Sequence, residues 1–514
     1  MLTTIKKKRL SEERFSRGFQ ADSTKLLGRL FHHVASAGTP LSQPQNPAEV
    51  MEKLTSCTLA GMTRRTVFFA SLLLSAFAAA QPHPLLQSGP MLGYAEMTEV
   101  AIWVQTKGAA KAQIEYRKLG ATDWIQSETL STFELSDHIA TFILSGLPMG
   151  SKFEYRLKLN GQEVRRDYPL TFQTQPHWRW ATRPPQPPNA KIAIGSCAYF
   201  NDPVSGFDRP GEPYGGDYEI FSAIHKGKPD LMLWLGDNIY YREPDWLTEK
   251  AMRNRWRIDR AHPSIQPLLG SVHNYATWDD HDFGPNDSDS SFRLRDAALR
   301  IHRDYWPQVV YGNLWETPGV FTRFEWGDVE VFMLDDRYHR SPNNMPPGPE
   351  KRMFGRGQLE WLKRALVNSD KTFKLICNGN QMIQPLERAE RFNMFPAEQK
   401  ELFDFIAQSR VEGVVFFSGD RHHTELLKVQ WPGAAYPWFE YTSSPLTSGT
   451  GARPNEMENP ARVPGTFVTN TRNFGMLETS GPWQDRQLTM TAHDKTGKEL
   501  WKHVIREKDL KAPK

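Results

Sequence analysis

The 514-residue chain is poor in cysteine and in long apolar segments. Its three cysteines are Cys57, Cys197 and Cys377. So few cysteines argue against a disulfide framework, although one bridge between Cys197 and Cys377 is an alternative. An apolar stretch of 15 residues, 66–80, is shorter than the about 20 residues that cross a bilayer. The sequence therefore favours a protein without a stable membrane span, with a membrane anchor as the alternative.

The main part of the chain also lacks an excess of charge of either sign. The formal net charge of +4 arises in residues 1–65, which contain 11 Lys and Arg against 5 Asp and Glu. The rest of the chain contains 52 against 54. A near-neutral surface gives no support for a nucleic-acid partner. The length indicates more than one domain, and we find no internal repeat.

Arginines and small residues flank the apolar stretch in the order of an export signal. Arg64 and Arg65 precede it, and Ala78, Ala79 and Ala80 end it. A basic segment, an apolar segment and a small-residue cleavage site together predict a signal peptide. The adjacent arginines are typical of the twin-arginine export machinery, which carries folded proteins. We therefore expect a periplasmic or secreted protein.

The position of this signal raises the question of where the native protein starts. Met62 directly precedes the arginines, so we interpret residues 1–61 as a non-native or disordered extension. Residues 62–80 are then the export signal. The alternative is a start at Met1 with a long basic segment before the signal.

Two regions of different character follow. Residues 86–175 contain short alternating segments such as EVAIWVQT, AQIEYRKLG, ATFILSGL and KFEYRLKLNGQ. They predict a small all-β sandwich that resembles immunoglobulin or fibronectin type III modules, with Tyr155 as a corner tyrosine. Residues 176–190 contain five prolines and predict a stiff extended linker.

The remaining part, 191–505, alternates strand-like and helical periodicity and predicts an α/β domain. The strand-like runs are 191–196, 231–236, 329–334, 373–377 and 413–418. The helical segments are roughly 217–227, 291–306, 357–368 and 397–409. A final hairpin is predicted to turn around residues 494–497.

Four of the apolar runs end in acidic or metal-binding residues: KIAIGSC, LMLWLGDNIYY, YATWDDHDFGPND and GVVFFSGDRHH. In open α/β sheets the carboxyl ends of the strands form the site. We therefore expect the following residues to converge: Cys197, Asp237, Tyr240, Asp279, Asp280, His281, Asn286, Asp420 and His422. The donor types predict a two-metal site.

The acidic tract after the third run is the densest of these clusters. Residues 278–287 hold four carboxylates, an imidazole and a carboxamide. Crowded carboxylates raise one another's pKa unless cations are present, although a solvated acidic loop is the alternative. Asp237, presented by the tight turn at Gly236, is the best candidate for a carboxylate that bridges two metals.

Together the motifs GSC, GDNIYY, WDDHDFGPND, LDDR at 334–337 and GDRHH resemble the alkaline phosphatase D (PhoD-like) family of calcineurin-like metallophosphoesterases. The similarity covers nearly all of the chain after residue 62. It implies a four-layer αββα phosphatase domain behind a β-sandwich and a twin-arginine signal.

The resemblance also implies a ligand set. Fe³⁺ would be held by Cys197, Asp237, Tyr240 and His422. A second metal, Ca²⁺ or another hard divalent cation, would share Asp237 and add Asn286 and Asp420.

Four residues are candidates for catalysis: Asp237, Asn286, His281 and Arg337. Arg337 is expected either to contact phosphate or to pair with Asp335 or Asp336. His281 is expected either to support the metal ligands or to donate a proton.

The sequence departs from the family pattern at two places. Asn238 and Tyr241 differ from the usual GDYIYE, and residues 282–286 read Asp-Phe-Gly-Pro-Asn where Glu-Val-x-Asn-Asn is common. These departures fall beside the predicted ligands.

The leading hypothesis is an exported metal-dependent phosphoesterase that attacks phosphorus with a metal-activated oxygen nucleophile. Its substrates would be small phosphomonoesters, phosphodiesters or both. A non-catalytic surface-binding protein with a degenerate metal scaffold is one alternative. A metal-dependent hydrolase of another ester is a second, because fold and metal do not fix the substrate.

Overall fold

A computed structural model describes residues 83–202, 208, 213–312, 317–387 and 389–512. The predicted extension 1–61 and export signal 62–80 lie outside these residues. Within the described ranges no helix is both long and apolar enough to cross a bilayer.

The first region is an all-β sandwich, as the alternating segments predict. Its strands are β1 (Leu86–Ala95), β2 (Glu99–Thr106), β3 (Ala110–Lys118), β4 (Ile125–Thr132), β5 (Ile139–Ser145), β6 (Lys152–Leu159), β7 (Gln162–Glu163) and β8 (Thr171–Gln173). One sheet has the order β1-β2-β5, and the other has the order β4-β3-β6-β7 with β8 also paired to β6. Buried residues of both sheets, such as Ile102 and Leu157, form the core.

The second region is a mixed α/β domain. Its strands are β9 (Lys191–Gly195), β10 (Leu231–Leu235), β11 (His273–Thr277), β12 (Thr322–Trp326), β13 (Val329–Met333), β14 (Phe373–Cys377), β15 (Val414–Ser418), β16 (Glu425–Val429), β17 (Trp438–Thr442), β18 (Asn473–Ser480), β19 (Gln487–Asp494) and β20 (Glu499–Arg506). Its helices are α1 (Glu219–Lys226), α2 (Glu249–Arg260), α3 (Gln266–Ser271), α4 (Asp280–Phe283), α5 (Arg295–Tyr305), α6 (Gly355–Asn368) and α7 (Pro396–Gln408).

Two six-stranded sheets organise this domain, in the orders β11-β10-β9-β18-β19-β20 and β12-β13-β14-β15-β17-β16. Strands β9, β10 and β11 are parallel neighbours, as are β13, β14, β15 and β17. Their carboxyl ends therefore meet at one edge of each sheet. Strands β19 and β20 form the predicted C-terminal hairpin.

The two sheets pack face to face with helices on their outer faces. The Tyr441 hydroxyl on β17 donates to the Thr491 carbonyl on β19 at 3.0 Å, which joins the two inner faces. On the outer face of the second sheet, Phe416 packs against Phe403 of α7. On the outer face of the first sheet, Trp234 packs against Phe221 of α1. This is the predicted αββα arrangement, and it confirms the fold class.

The sandwich contacts the α/β domain through polar groups that its own fold does not use. Tyr155 is buried, and its hydroxyl donates to the carbonyl of Gly270 in α3 at 2.7 Å. The prediction of a corner tyrosine was wrong, because this hydroxyl bonds the neighbouring domain instead of the backbone of its own sandwich. The linker 176–190 has no helix or strand, and Trp178 packs against Trp483 with ring centroids 5.5 Å apart.

Candidate active site

The ends of adjacent parallel strands bring the predicted ligands to one edge of the domain. Cys197 follows β9, Asp237 follows β10, and Asp420 and His422 follow β15. All four have positive φ, between 52° and 63°. Residues other than glycine rarely adopt this backbone conformation, which costs about 1–3 kcal/mol per residue. Such strain collects at functional sites, which supports the interpretation of this edge as the active site.

Gly236 allows the turn that presents Asp237. Its φ is 89°, and a Cβ atom there would lie 2.6 Å from the Cβ of Asp279. Any other residue would collide with the loop that carries Asp280. Glycine is therefore required for the two acidic segments to approach each other.

The first group of candidate ligands consists of Cys197, Asp237 and His422, whose donor atoms lie within 4.8 Å of one another. The Tyr240 hydroxyl lies 2.9 Å from Asp237 Oδ2 and 3.4 Å from His422 Nε2. The Cys197 sulfur lies 3.5 Å from the same carboxylate oxygen. Thiolate, phenolate, carboxylate and imidazole can therefore face one point.

A second group of candidate ligands also contains Asp237. Its members are Asp237, Asp280 and His281, again with donor atoms within 4.8 Å. The His281 backbone N–H also donates to Asp237 Oδ1 at 3.2 Å. Asp237 thus belongs to both groups, as a bridging carboxylate would.

Electrostatics favour cations at this site. Burial raises the pKa of Asp237 well above its usual range, and Asp280, Asp282 and Asp420 add repulsion. Burial likewise raises the pKa of Cys197 and of Tyr240. A cation would relieve this crowding, so the donor set fits a metal centre.

Asp280 behaves differently from Asp237. Burial raises the pKa of Asp280, but His281, Arg337 and the backbone N–H of Asp287 outweigh burial and bring the pKa to about 2. Electrostatics therefore shift the pKa values of these two neighbouring carboxyls in opposite directions.

His422 and Asp420 are held from the outside of the site. The Tyr214 hydroxyl lies 3.1 Å from His422 Nδ1. Arg421 contacts Asp420 Oδ2 at 3.3 Å with one nitrogen and binds Glu456 with the other. Burial raises the pKa of Asp420, and the charge of Arg421 opposes the rise.

These residues form the floor of an open cavity of about 810 Å³. Its lining includes most of the predicted site residues: Asp237, Asp280, His281, Asn286, Asp420 and His422. Asn286 is exposed in this lining. The second-metal prediction pairs Asp237 with Asn286 and Asp420, and Asp280 and His281 are further side chains grouped with Asp237.

Arg337 and Asp279 lie behind the cavity. Both are essentially inaccessible to solvent. Arg337 Nε donates to Asp279 Oδ1 at 2.7 Å, its Nη2 binds Asp279 and Glu390, and its Nη1 donates to the Ser288 carbonyl. The expectation of a phosphate contact by Arg337 is not supported, because its donors are already used. Its main partner is Asp279, while Asp336 lies at 3.6 Å.

Two departures from the family pattern contact each other. Asn238 Nδ2 donates to Asp282 Oδ2 at 2.6 Å and to the Thr277 carbonyl at 2.7 Å. Both side chains are buried. They are therefore a matched pair behind the ligands and do not shape the cavity.

Sequence reasoning missed several supporting residues. Ser444 donates to the Cys197 sulfur at 3.2 Å, and Tyr214, Glu390 and Arg391 line the cavity. These residues lie in loops far from the motifs in sequence, so periodicity gave no signal for them. Cys197 and Cys377 are both free and buried, which rules out the alternative disulfide.

Comparisons with known proteins identify the family of this chain. Residues 192–484 match a family model described as PhoD-like phosphatase, and residues 83–177 match a domain of unknown function (DUF7800). Alkaline phosphatase D of Bacillus subtilis (strain 168) is 24% identical over 306 residues, or 50% of this chain and 49% of that protein. The chain thus matches about half the length of this relative.

Solved structures show the same fold. A structure described as PhoD superimposes with a TM-score of 0.67 at 17% identity and covers 84% of this chain and 93% of its own. Purple acid phosphatase PPD1 from yellow lupin (Lupinus luteus) seeds superimposes with a TM-score of 0.57 at 11% identity, covering 81% and 74%.

Proposed function

Because the chain belongs to the PhoD-like phosphatase family, we propose that it is a metal-dependent phosphoesterase acting on phosphomonoesters, phosphodiesters or both. The observation that carries this proposal is the position of Asp237, shared by two groups of candidate ligands on the cavity floor. A two-metal site is the arrangement that such a carboxylate serves in phosphoryl transfer.

We further propose which residues hold the metals. Cys197, Asp237, Tyr240 and His422 would hold Fe³⁺, because thiolate and phenolate donors suit that ion. Asp237, Asn286 and Asp420 would hold Ca²⁺ or another hard divalent cation, with Asp280 in reach of the same place. When bound, the two metals would polarise the phosphoryl group and supply the activated oxygen nucleophile.

The chain's own residues then orient the reactants. The exposed Asn286 amide can donate to a phosphate oxygen from the cavity wall. The His281 backbone N–H fixes Asp237, and its ring packs on Tyr240 with centroids 4.2 Å apart. We assign His281 mainly to positioning of these ligands. Arg337 positions Asp279 and Glu390 and does not touch substrate.

The test is metal analysis of the purified protein combined with an activity panel of monoesters and diesters. We expect two metals per chain and hydrolysis of at least one phosphate ester, lost on chelation and restored by metal. A protein that binds metals but cleaves no ester in the panel would favour the non-catalytic alternative.

The iron assignment has its own optical test. Charge transfer from Cys197 and Tyr240 to Fe³⁺ should give a broad visible band. Cys197→Ser should shift or abolish the band, and Cys377→Ser is the matched control, because Cys377 lies within β14 away from the ligands. A protein that is active, colourless and free of iron would contradict the assignment of Fe³⁺.

Export remains a proposal from the sequence. The order of Arg64, Arg65, the apolar stretch and Ala80 favours cleavage near Ala80 by a twin-arginine route. Intact mass of protein recovered outside the cytoplasm tests it. Continued export after Arg64→Lys and Arg65→Lys together would argue against that route.

A further inference from the structure

The lining of the cavity contains three arginines besides its carboxylates. The floor consists of the ligand groups around Asp237. The arginine wall, as we name it, consists of Arg391, Arg421 and Arg453. A substrate whose phosphate sits on the floor would extend its alcohol part into the rest of the cavity.

The three arginines are not equivalent. Arg421 is compensated, because it contacts Asp420 and Glu456. Arg453 is exposed to solvent, which screens its charge. Arg391 is half-buried and, among the described residues, forms no ion pair; its Nη1 donates to the Ala389 carbonyl at 2.6 Å. Arg391 is thus the half-buried cation of the wall without an ion pair among the described residues.

The backbone holds Arg391 in place. It forms a bridge with Gln381, and the next residue, Phe392, is fully buried and donates its N–H to the Gln381 carbonyl at 2.9 Å. The guanidinium therefore projects from an anchored position, so little order has to be created when it binds a ligand.

The charge on Arg391 is unfavourable without an anion. Burial lowers the pKa of Arg391, Glu387 opposes this, and the charge of Arg421 adds to it. An anionic group bound beside Arg391 would compensate its charge. A guanidinium fork matches the planar geometry of carboxylate and the tetrahedral oxygens of phosphate.

We propose that Arg391 determines specificity by binding a second anionic group, a carboxylate or a phosphate, on the alcohol part of the phosphate ester. This inference rests on the proposed phosphoesterase function. It predicts that the enzyme prefers esters whose leaving alcohol carries its own negative charge.

The test uses ω-carboxyalkyl phosphates with about three to eight carbons, each paired with its neutral carboxamide counterpart. At the best chain length, wild-type kcat/KM for the carboxylate should exceed that for the carboxamide about tenfold or more, as a charge-assisted hydrogen bond provides. In Arg391→Gln this ratio should fall to about two or less. Alkanediol bisphosphates of the same lengths show whether phosphate is preferred over carboxylate.

Arg356→Gln is the matched control, because Arg356 is 69% exposed and pairs with Glu350 on the surface. It should retain the wild-type ratio. A wild-type ratio near one at every length, or a ratio that survives Arg391→Gln in a protein with unchanged metal content, overturns the inference. Failure of wild type to hydrolyse any carboxyalkyl, carboxamide or 4-nitrophenyl phosphate and also the diester bis(4-nitrophenyl) phosphate instead overturns the proposed function, and the inference falls with it. Hydrolysis of the diester alone overturns the inference and leaves the proposed function standing.

Discussion

Two Asp-Asp pairs follow neighbouring strand ends in this protein, and they have different environments. Asp280 of the first pair lines the cavity beside Asp237. Asp335 of the second pair is buried and accepts hydrogen bonds from the backbone of Arg337 and Tyr338 and from the Trp278 indole, at 2.8–3.0 Å. The first pair supplies a candidate ligand, whereas the second holds a loop. The two pairs consist of the same residue type and differ in the groups that they contact.

Arg337 connects the pairs. It binds Asp279 of the first pair, lies 3.6 Å from Asp336 of the second, and also binds Glu390. We call Asp279, Asp335, Asp336 and Arg337 the support layer. If the two pairs differ in this way, substitutions in the support layer should lower the free energy of unfolding. Substitutions on the cavity floor should instead lower activity and metal content.

The largest expected effect is that of Arg337→Met on folding. It would leave Asp279 buried without its cation and Glu390 with Arg340 alone, which costs about 3–5 kcal/mol of unfolding free energy. Denaturant unfolding of the metal-free protein measures this loss. Arg356→Met on the surface should cost less than about 1 kcal/mol. Unchanged stability combined with a raised KM would instead make Arg337 a substrate contact.

Asp280→Asn, on the cavity floor, should lower activity and leave stability intact. We expect kcat/KM to fall about 100-fold, or about 2.7 kcal/mol, because a ligand-group carboxylate is lost. Metal-free stability should hold or rise, since repulsion with Asp237 and Asp420 is relieved. Asp336→Asn makes the same chemical change in the support layer and should spare metal content. Equal losses of kcat/KM in Asp280→Asn and Asp336→Asn would contradict the distinction between the two pairs.

The sequence was informative where a buried strand delivers a residue directly. Cys197, Asp237 and Asp420 lie at strand ends because an apolar run fixes where each strand stops. Periodicity could not tell which of Asp279 and Asp280 faces the cavity, since adjacent residues in a loop can point either way. That choice depends on Arg337, which is 58 residues from Asp279 in sequence.

The fold shows the same limit. The alternating strand β6 was predicted, whereas β1 was missed because it is buried on both faces and contains Gly89 and Pro90. The sequence could not identify Arg391 as a candidate substrate contact either. That role rests on the lack of an ion pair to Arg391 among the described residues, which only the structure shows.

A smaller effect concerns pH. The raised pKa values of Asp237, Cys197 and Tyr240, each caused first by burial, mean that protons compete with a cation for these ligands. At lower pH, protons compete more strongly with the metal for the ligand atoms. Metal affinity should therefore fall about tenfold or more for each pH unit lost around neutrality. The pKa of Asp280, about 2, adds no competition in this range. Competition titrations with a metal indicator between about pH 6 and 8 measure the slope, and pH-independent affinity would contradict the assignment.

The most direct test of the central claim is the metal stoichiometry of Asp237→Asn beside Asn286→Ala and wild type. If Asp237 bridges two cations, Asp237→Asn should lose both metals and nearly all turnover, because one substitution removes charge from two sites. Asn286→Ala should lose chiefly the hard cation and keep the iron. An Asp237→Asn protein that retains two metals and substantial turnover would contradict the account and assign the bridge to another carboxylate.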